Sequence, residues 1–362
     1  MNFPETNLSK FHCDVLQQTQ LGKLCGKNEL FRDRYEILRM LGRGGFGVTF
    51  VAKDVYLPGQ SLCVIKLLYP KVEDLATRGI ARQRFEREAR MLAKLGSHSQ
   101  IPMLLDYFVI EGEFYLVQEY IHGPTLARLV RRYGVQSETQ VREFLWEMLH
   151  VLDYIHRNQV IHRDIKPQNI IKCQDDGRLV LIDFGAVKEE IAQLSEIGDK
   201  TPATHFIGTL GFAPPEQFSL STVYASDIYA LGVTCIYLLT RKAPLNLQCD
   251  RATGEIYWQH QAQVSYYFGR IIDKMVKISL EDRYQAAREI LRELVITSNQ
   301  EDLAEYLTLQ PRMEDDSLDD DEVAQYLPPA TRTAIAIREW KARKDAKQQH
   351  QNLNHQILSD DF

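Results

Sequence analysis

"VIHRDIKPQNIIK", residues 160–172, joins two apolar ends through a run of polar residues. Val160-Ile161 and Ile170-Ile171 read as buried, so the residues between them are held against something. Asp164, Lys166 and Asn169 give this short segment one carboxylate, one cation and one amide. That set suits a hydroxyl group and a metal-bound phosphate.

The chain around it has ordinary composition. It has 362 residues, 44% hydrophobic and 25% charged, with a net charge of -6. This length predicts two domains, or one large domain with appendages, and ample core. The negative balance argues against bulk nucleic-acid binding. No run reaches the roughly 18 apolar residues of a membrane span. "ALGVTCIYLLT" (230–240), the most apolar stretch, reads as a buried helix. The N-terminus, "MNFPETNLSKFHCD", lacks the basic start and apolar run of a signal peptide. A soluble cytoplasmic protein is expected. The six cysteines are scattered, and Cys63 and Cys235 read as reduced core residues.

Outward from the opening segment the chain changes character. From Tyr35 to about Tyr120 the pattern is strand-like. "YEILRMLG" and "VTFVAKDV" flank a glycine cluster as an antiparallel hairpin, and "LCVIKLL" is a third strand. "ATRGIARQRFEREARMLAKLG" repeats apolar residues at helical spacing, with Phe85, Ala89, Leu92 and Leu95 on one face. "MLLDYFVIEGEFYLVQEY" reads as two strands around a Glu-Gly turn. Helical spacing then dominates over 125–133, 137–157, 226–240 and 265–294. The fold class expected is α+β and bilobal: a small β-rich lobe (34–120) with one key helix, then a larger α-helical lobe (121–295). Beyond it, 296–362 reads as a charged tail. It holds the acidic block "MEDDSLDDDE" (313–322) and a basic stretch over 331–349, with Ile337 and Trp340 as its few apolar anchors. The tail is either a mobile solvated segment or a regulatory one.

Three further motifs carry chemistry. "LGRGGFGVTF" (41–50) places Gly42, Gly44 and Gly47 in G-x-G-x-x-G spacing. The same letters open a dinucleotide fold, but that fold needs a helix directly after them, and here a β-branched strand follows. The glycines therefore form a flap between two strands, free to approach phosphate oxygens. Lys66 lies within the apolar strand "CVIKLL" and needs a carboxylate if buried. Glu88 is better placed for this than Glu86, being three residues after Phe85 and four before Leu92. Asp183 in "LVLIDFGAVK" ends an apolar strand, a natural Mg²⁺ ligand for bound phosphates.

The glycine flap, Lys66, Glu88, "HRDIKPQN" and "DFG" together resemble the protein-kinase signature set over roughly residues 35–295. The style of "LFRDRYEILRMLGRGGFGVTFVAKD" is similar to bacterial, cyanobacterial-type Ser/Thr kinases. The resemblance implies ATP and Mg²⁺, with Mn²⁺ as an admissible substitute, and protein substrates bearing Ser/Thr acceptors. Leu41, Gly42, Arg43, Gly44, Gly45, Phe46, Gly47, Thr49 and Val64 would then enclose the nucleotide. Gln118 would be the gatekeeper, and Glu119 to Ile121 the hinge that binds adenine. Lys66, held by Glu88, would contact the α- and β-phosphates. Asp183 and Asn169 would hold metal, Asp164 would accept or orient the hydroxyl, and Lys166 would neutralise the γ-phosphoryl group. Thr209 in "GTLGFAPPEQ" would bridge Asp164 and Lys166. Glu216 would pair with Arg283, and Asp227 in "SDIYALG" would brace the catalytic loop. Pro214 stands where the family has Ala, and Tyr229 where Trp is common.

Arg163 precedes Asp164 and in this family often receives an activation-loop phosphate. Thr201 and Thr204, with Ser195 behind them, are the expected sites of autophosphorylation, which between two copies needs a transient dimer. Relatives of this style often begin with a zinc-ribbon-like stretch. Here Cys25-Gly26 remains, Gly22 occupies an expected Cys position, and upstream only His12 and Cys13 are left. Three badly spaced ligands fall short of the four of a structural site. Residues 1–33 are therefore expected to be an extension with a degenerate remnant and no structural zinc.

Two other readings compete. A pseudokinase scaffold would have no chemical need for Lys66, Glu88, Asp164, Asn169 and Asp183 together. Small-molecule phosphotransferases of kinase-like fold usually lack the GT…PPE segment and "SDIYALG", both present here.

Overall fold

The structure, a computed structural model, describes residues 17–43, 47–57, 59–68, 75–96, 98–184, 211–218 and 221–297. The chain divides into two compact units, 1–291 and 292–362, and of the second the described residues 292–297 are helical.

The N-terminal half of the first unit is built on one antiparallel sheet. Its strands are β1 (Leu30–Phe31), β2 (Tyr35–Arg43), β3 (Gly47–Asp54), β4 (Leu62–Leu68), β5 (Leu104–Ile110) and β6 (Glu113–Glu119). They lie in the order β1-β2-β3-β4-β6-β5. Alternation along the strands sorts their faces. Val48, Phe50 and Ala52 pair with Leu67, Ile65 and Cys63, and all six are sealed into one apolar cluster. The intervening pairs, Thr49 with Lys66 and Val51 with Val64, point to the other face. The strand period alone thus takes Lys66 out of the sealed side. The β5–β6 turn is closed by Glu111 and Gly112 at φ 50 and 81. Two successive left-handed residues are what a two-residue hairpin requires.

A short helix, α1 (Gln20–Leu24), covers the sealed face. Thr19 caps it by accepting from Gly22 N at 3.0 Å, and Gly26 N donates to Ile37 O at 2.8 Å. Leu21 and Phe31, ahead of the lobe start read from sequence at residue 34, belong to the same cluster as the strands. Cys25 packs there too, and burial pushes its thiol pKa up. His12 and Cys13 lie outside the described residues. The helix α2 (Leu75–Leu95) buries Phe85, Ala89, Leu92 and Leu95 against β5 and β6.

The second half is helical. It holds α3 (Leu126–Tyr133), α4 (Glu138–Arg157), α5 (Pro215–Phe218), α6 (Tyr224–Thr240) and α7 (Tyr266–Met275). A Ser137–Gln140 capping box starts α4. The helix α6 is buried on nearly every side, which is why its sequence reads as continuously apolar. Two small hairpins interrupt the helices: β7 (Ile170–Lys172) with β8 (Leu179–Leu181), and β9 (Gln248–Cys249) with β10 (Ile256–Tyr257). Among the described residues no helix is long and apolar enough to cross a membrane.

The expected single helix over 265–294 is two. It stops at Met275 and resumes at residue 287. The reason is Arg283, whose guanidinium takes the carbonyls of Lys277 at 2.8 Å and Ile278 at 3.2 Å. Carbonyls committed to a side chain in this way do not continue a helix.

Candidate active site

Lys66 lies at the meeting point of three elements. Its Nζ is 2.8 Å from Glu88 Oε1 on α2 and 2.8 Å from Asp183 Oδ1, just past β8. Burial disfavours the ammonium, but the two carboxylates more than offset it, so the Lys66 pKa is raised and the charge is kept. Glu88 is 1% exposed, and burial pushes its carboxyl pKa up. Its second oxygen, Oε2, is buried with no hydrogen-bond partner among the described residues. Glu86, the competing candidate, pairs instead with Arg82 on the helix surface at 2.8 Å.

The loop over 162–169 is held from both sides. Asn169 Nδ2 donates to Asp164 O at 2.8 Å and to Asp164 Oδ2 at 2.7 Å. Lys166 Nζ sits 3.0 Å from Asp164 Oδ1 and 2.9 Å from Oδ2. Below them Asp227, at the start of α6, accepts from the backbone N–H groups of His162 and Arg163, each at 2.8 Å, and from His156 Nε2 at 3.0 Å. Burial works against its ionised form, yet these donors hold its pKa below the usual carboxylate range. His162 accepts from Asp164 N through Nδ1 and donates from Nε2 to Ile182 O at 3.1 Å. That pattern fixes one neutral tautomer, and burial keeps its pKa low. The Phe184 ring lies tilted against the His162 ring, with centroids 4.5 Å apart, tying the segment after β8 to the loop. Arg163 and Asp183 adopt left-handed φ of 67 and 64. The surrounding bonds maintain that strain.

The glycines of the flap divide in role. A Cβ on Gly47 would lie 2.3 Å from Leu67 O, so this glycine is required by the β3–β4 approach itself. A Cβ on Gly42 would meet no protein atom within 4 Å. Gly42 lies at a register shift in β2, and its open side suits a ligand. Gly44, Gly45 and Phe46 lie outside the described residues, as do Thr209, Thr201, Thr204 and Ser195. Leu41 is exposed beside Gly42, and Arg43 pairs with Val48 in the ladder. Across the sheet Val64 pairs with Gln118, and Glu119 N donates to Met103 O at 2.9 Å as the chain leaves β6. Ile121 is buried just beyond.

Sequence reasoning brought Lys66, Glu88, Asp164, Asn169 and Asp183 to one place, and paired Glu216 with Arg283, which are 2.6 Å apart. It did not identify His156 or Gln217. Gln217 Nε2 donates to Arg163 O at 2.7 Å and links α5 to the catalytic loop. Each acts across more than fifty residues of sequence through one bond, and no local pattern marks either.

Comparison with known proteins now bears on these groups. Residues 35–296 match the protein kinase domain family. The chain is 46% identical over 295 residues to Serine/threonine-protein kinase B of Synechocystis sp., covering 81% of this chain and 51% of that one. It is 42% identical over 268 residues to Serine/threonine-protein kinase PknA of Nostoc sp., covering 74% and 48%. The chain thus spans about half the length of the curated relatives it matches. A solved structure described as PpkA-294, apo form, aligns with TM-score 0.59 at 25% identity, covering 75% of this chain and 98% of that one. The Mycobacterium tuberculosis PknI kinase domain aligns with TM-score 0.54 at 22% identity, over 72% and 95%, and speaks to the fold. A match that runs from the first long strand to the last described helix leads to one conclusion: this chain belongs to the protein kinase domain family.

Proposed function

We propose that the protein is a Ser/Thr protein kinase that moves the γ-phosphoryl group of ATP to hydroxyls of protein substrates. The observation that carries this reading is Lys66 Nζ at 2.8 Å from both Glu88 and Asp183. A scaffold has no need to hold a desolvated lysine between a helix carboxylate and a strand-end carboxylate. The donor set fits a hard divalent cation. Asp183 is an exposed carboxylate, and Asn169 commits its amide nitrogen to Asp164, which leaves its oxygen for a ligand. Mg²⁺ or Mn²⁺ bound there with ATP would neutralise phosphate charge.

The residues divide the work. Lys66 would orient the α- and β-phosphates, and the Gly42 turn would let backbone approach them. Asp164 would orient the acceptor hydroxyl and take its proton, its carboxylate aimed by Asn169 and Lys166. Lys166 would shift part of its charge onto the transferring group. Phosphoryl transfer depends mostly on positioning and charge, so this small set suffices. Arg163 and the segment that carries Thr201 and Thr204 support autophosphorylation as the activating step.

The test is transfer from labelled ATP with Mg²⁺ by wild type and Asp164→Asn, offered a generic Ser/Thr protein and the chain itself. Label on Ser or Thr, reduced about 10²–10⁴-fold in the variant, is the expected outcome. Nucleotide binding without label in wild type would overturn the reading in favour of a scaffold. Mass spectrometry of active protein with no phosphate between 186 and 208 would remove the autophosphorylation step.

A further inference from the structure

The helix α3 has two unlike faces. Leu126, Ala127 and Val130 are buried. Arg128, Arg131 and Arg132 are exposed on the other side, at the i, i+3, i+4 spacing that stacks side chains together. No residue of this helix is acidic. Arg241 and Lys242, at the left-handed end of α6, extend the patch, with Arg241 Nη2 donating to Arg131 O at 3.5 Å. Among the described residues none of these five cations is ion-paired with a carboxylate.

Local stability does not account for the patch. Arg131 and Arg132 suit the C-terminal end of a helix, but Arg128 lies in the first turn, against the positive end of the dipole. Like charges at this spacing also repel. On a chain of net charge -6 this is a built exception. Its position gives it a use. The α3 cap, Thr125, bridges Ile171, and Lys172 N donates to Pro124 O at 3.0 Å. The helix packs on the turn Pro167–Asn169 of the catalytic loop. Arg128 stands three residues after the cap Thr125, in the first turn of that helix.

We propose that the arginine stripe of α3 binds the acidic flank of a protein substrate, so that the enzyme selects Ser/Thr acceptors set among Asp and Glu. The proposal rests on the kinase reading above. The transfer is the same reaction: the Ser Oγ–P bond forms, the bond from Pγ to the bridging oxygen breaks, ADP leaves, and the hydroxyl proton passes to Asp164. The complementary charge favours a short acidic peptide over nucleic acid. The patch is small, the rest of the chain is negative and repels a long polyanion, and the stripe adjoins the loop that handles a protein hydroxyl. The chain itself contains an acceptor of this class, Ser317 in "MEDDSLDDDE" (313–322). A synthetic peptide of that sequence is the probe.

The experiment uses the full chain, as wild type and as the triple variant Arg128→Gln, Arg131→Gln, Arg132→Gln. It compares the acidic peptide with a counterpart in which Asp and Glu become Asn and Gln. Fluorescence anisotropy reads binding without turnover, and labelled ATP reads KM and kcat. Wild type is expected to bind the acidic peptide more tightly, and less so as salt rises. The triple variant should raise its KM about tenfold, the sum of three modest surface pairs, with kcat and the neutral peptide unchanged. Equal binding of the acidic peptide by both proteins would overturn the proposal. So would binding of a single-stranded oligonucleotide of equal charge as tight as that of the peptide. If neither peptide is phosphorylated but the binding difference holds, the kinase reading falls and the acidic-segment surface stands.

Discussion

Asp227 gathers three donors onto one buried carboxylate, and the pH dependence of stability follows from it. Its folded pKa is depressed, so the ionised group stabilises the fold above its unfolded value of about 4. That contribution is lost as pH falls through the folded pKa. His162 acts in a higher window. It is held neutral with a lowered pKa, so the unfolded chain takes up the extra proton below about 6.5 and stability falls from there downward. Melting temperature should therefore decline in two stages on acidification. Asp227→Asn should lower it at neutral pH and flatten the stage below about pH 4. A wild-type slope retained in that variant would refute the assignment. The flap glycines allow a second test. Gly47→Ala should destabilise the sheet by about 1–3 kcal/mol, because its Cβ meets the Leu67 carbonyl. Gly42→Ala should leave the melt unchanged and raise the KM for ATP. The chemistry-bearing residues were legible because Lys66, Asp164, Asn169 and Asp183 interrupt or end apolar runs, and Glu88 falls on the apolar stripe of α2. His156, Gln217 and the structural duty of Gly47 were not, since only tertiary contact reveals them.

Among the elements, the break between α7 and the helix at 287–297 is made by one side chain. Arg283 is fully buried, pairs with Glu216 at 2.6 Å, and reaches Ala225 O at 3.1 Å while lying over the Tyr229 ring at 4.9 Å. Removing it would take the cation from the nearly buried Glu216 and leave it the Ser226 hydroxyl, which donates at 2.8 Å. Arg283→Ala should cost about 3–5 kcal/mol in a denaturant melt. Arg283→Lys should recover little of this, because an ammonium cannot reproduce the planar fork. A melt within about 0.5 kcal/mol of wild type would show the pair to be dispensable. The long helices and the long strands were legible from period and length, whereas the short α1 and α5 were not. The strand β8 was legible as the apolar run that Asp183 ends, but β7 and the hairpin β9–β10 were not, because two- and three-residue strands carry too few alternations to register a period of two. The helical pattern also ran straight through 276–286, where Arg283 competes for the carbonyls.

In the molecule as a whole, the small lobe begins earlier than its catalytic motifs. Leu21 is fully buried on the sheet face opposite Lys66, so the segment before the first long strand is part of that lobe's core. Leu21→Ala should destabilise by about 2–5 kcal/mol and lower the melting temperature without changing kcat at low temperature. An unchanged melt would show α1 to be an ornament. The brace at Asp227 has a consequence in time as well as in space. The chain is synthesised from its N-terminus, and N-terminal parts fold first. A nascent chain that has just released Asp183 already holds Lys66, Glu88, Asp164 and Asn169. It does not yet hold the carboxylate that fixes the backbone of His162 and Arg163, nor the α5 glutamine that fixes the Arg163 carbonyl. Every reactive group is on the ribosome before the backbone between His162 and Asp164 is braced. A chain that ends before α6 would carry the whole set of reactive side chains and lack the brace, so the proposed transfer would await α6 made and docked.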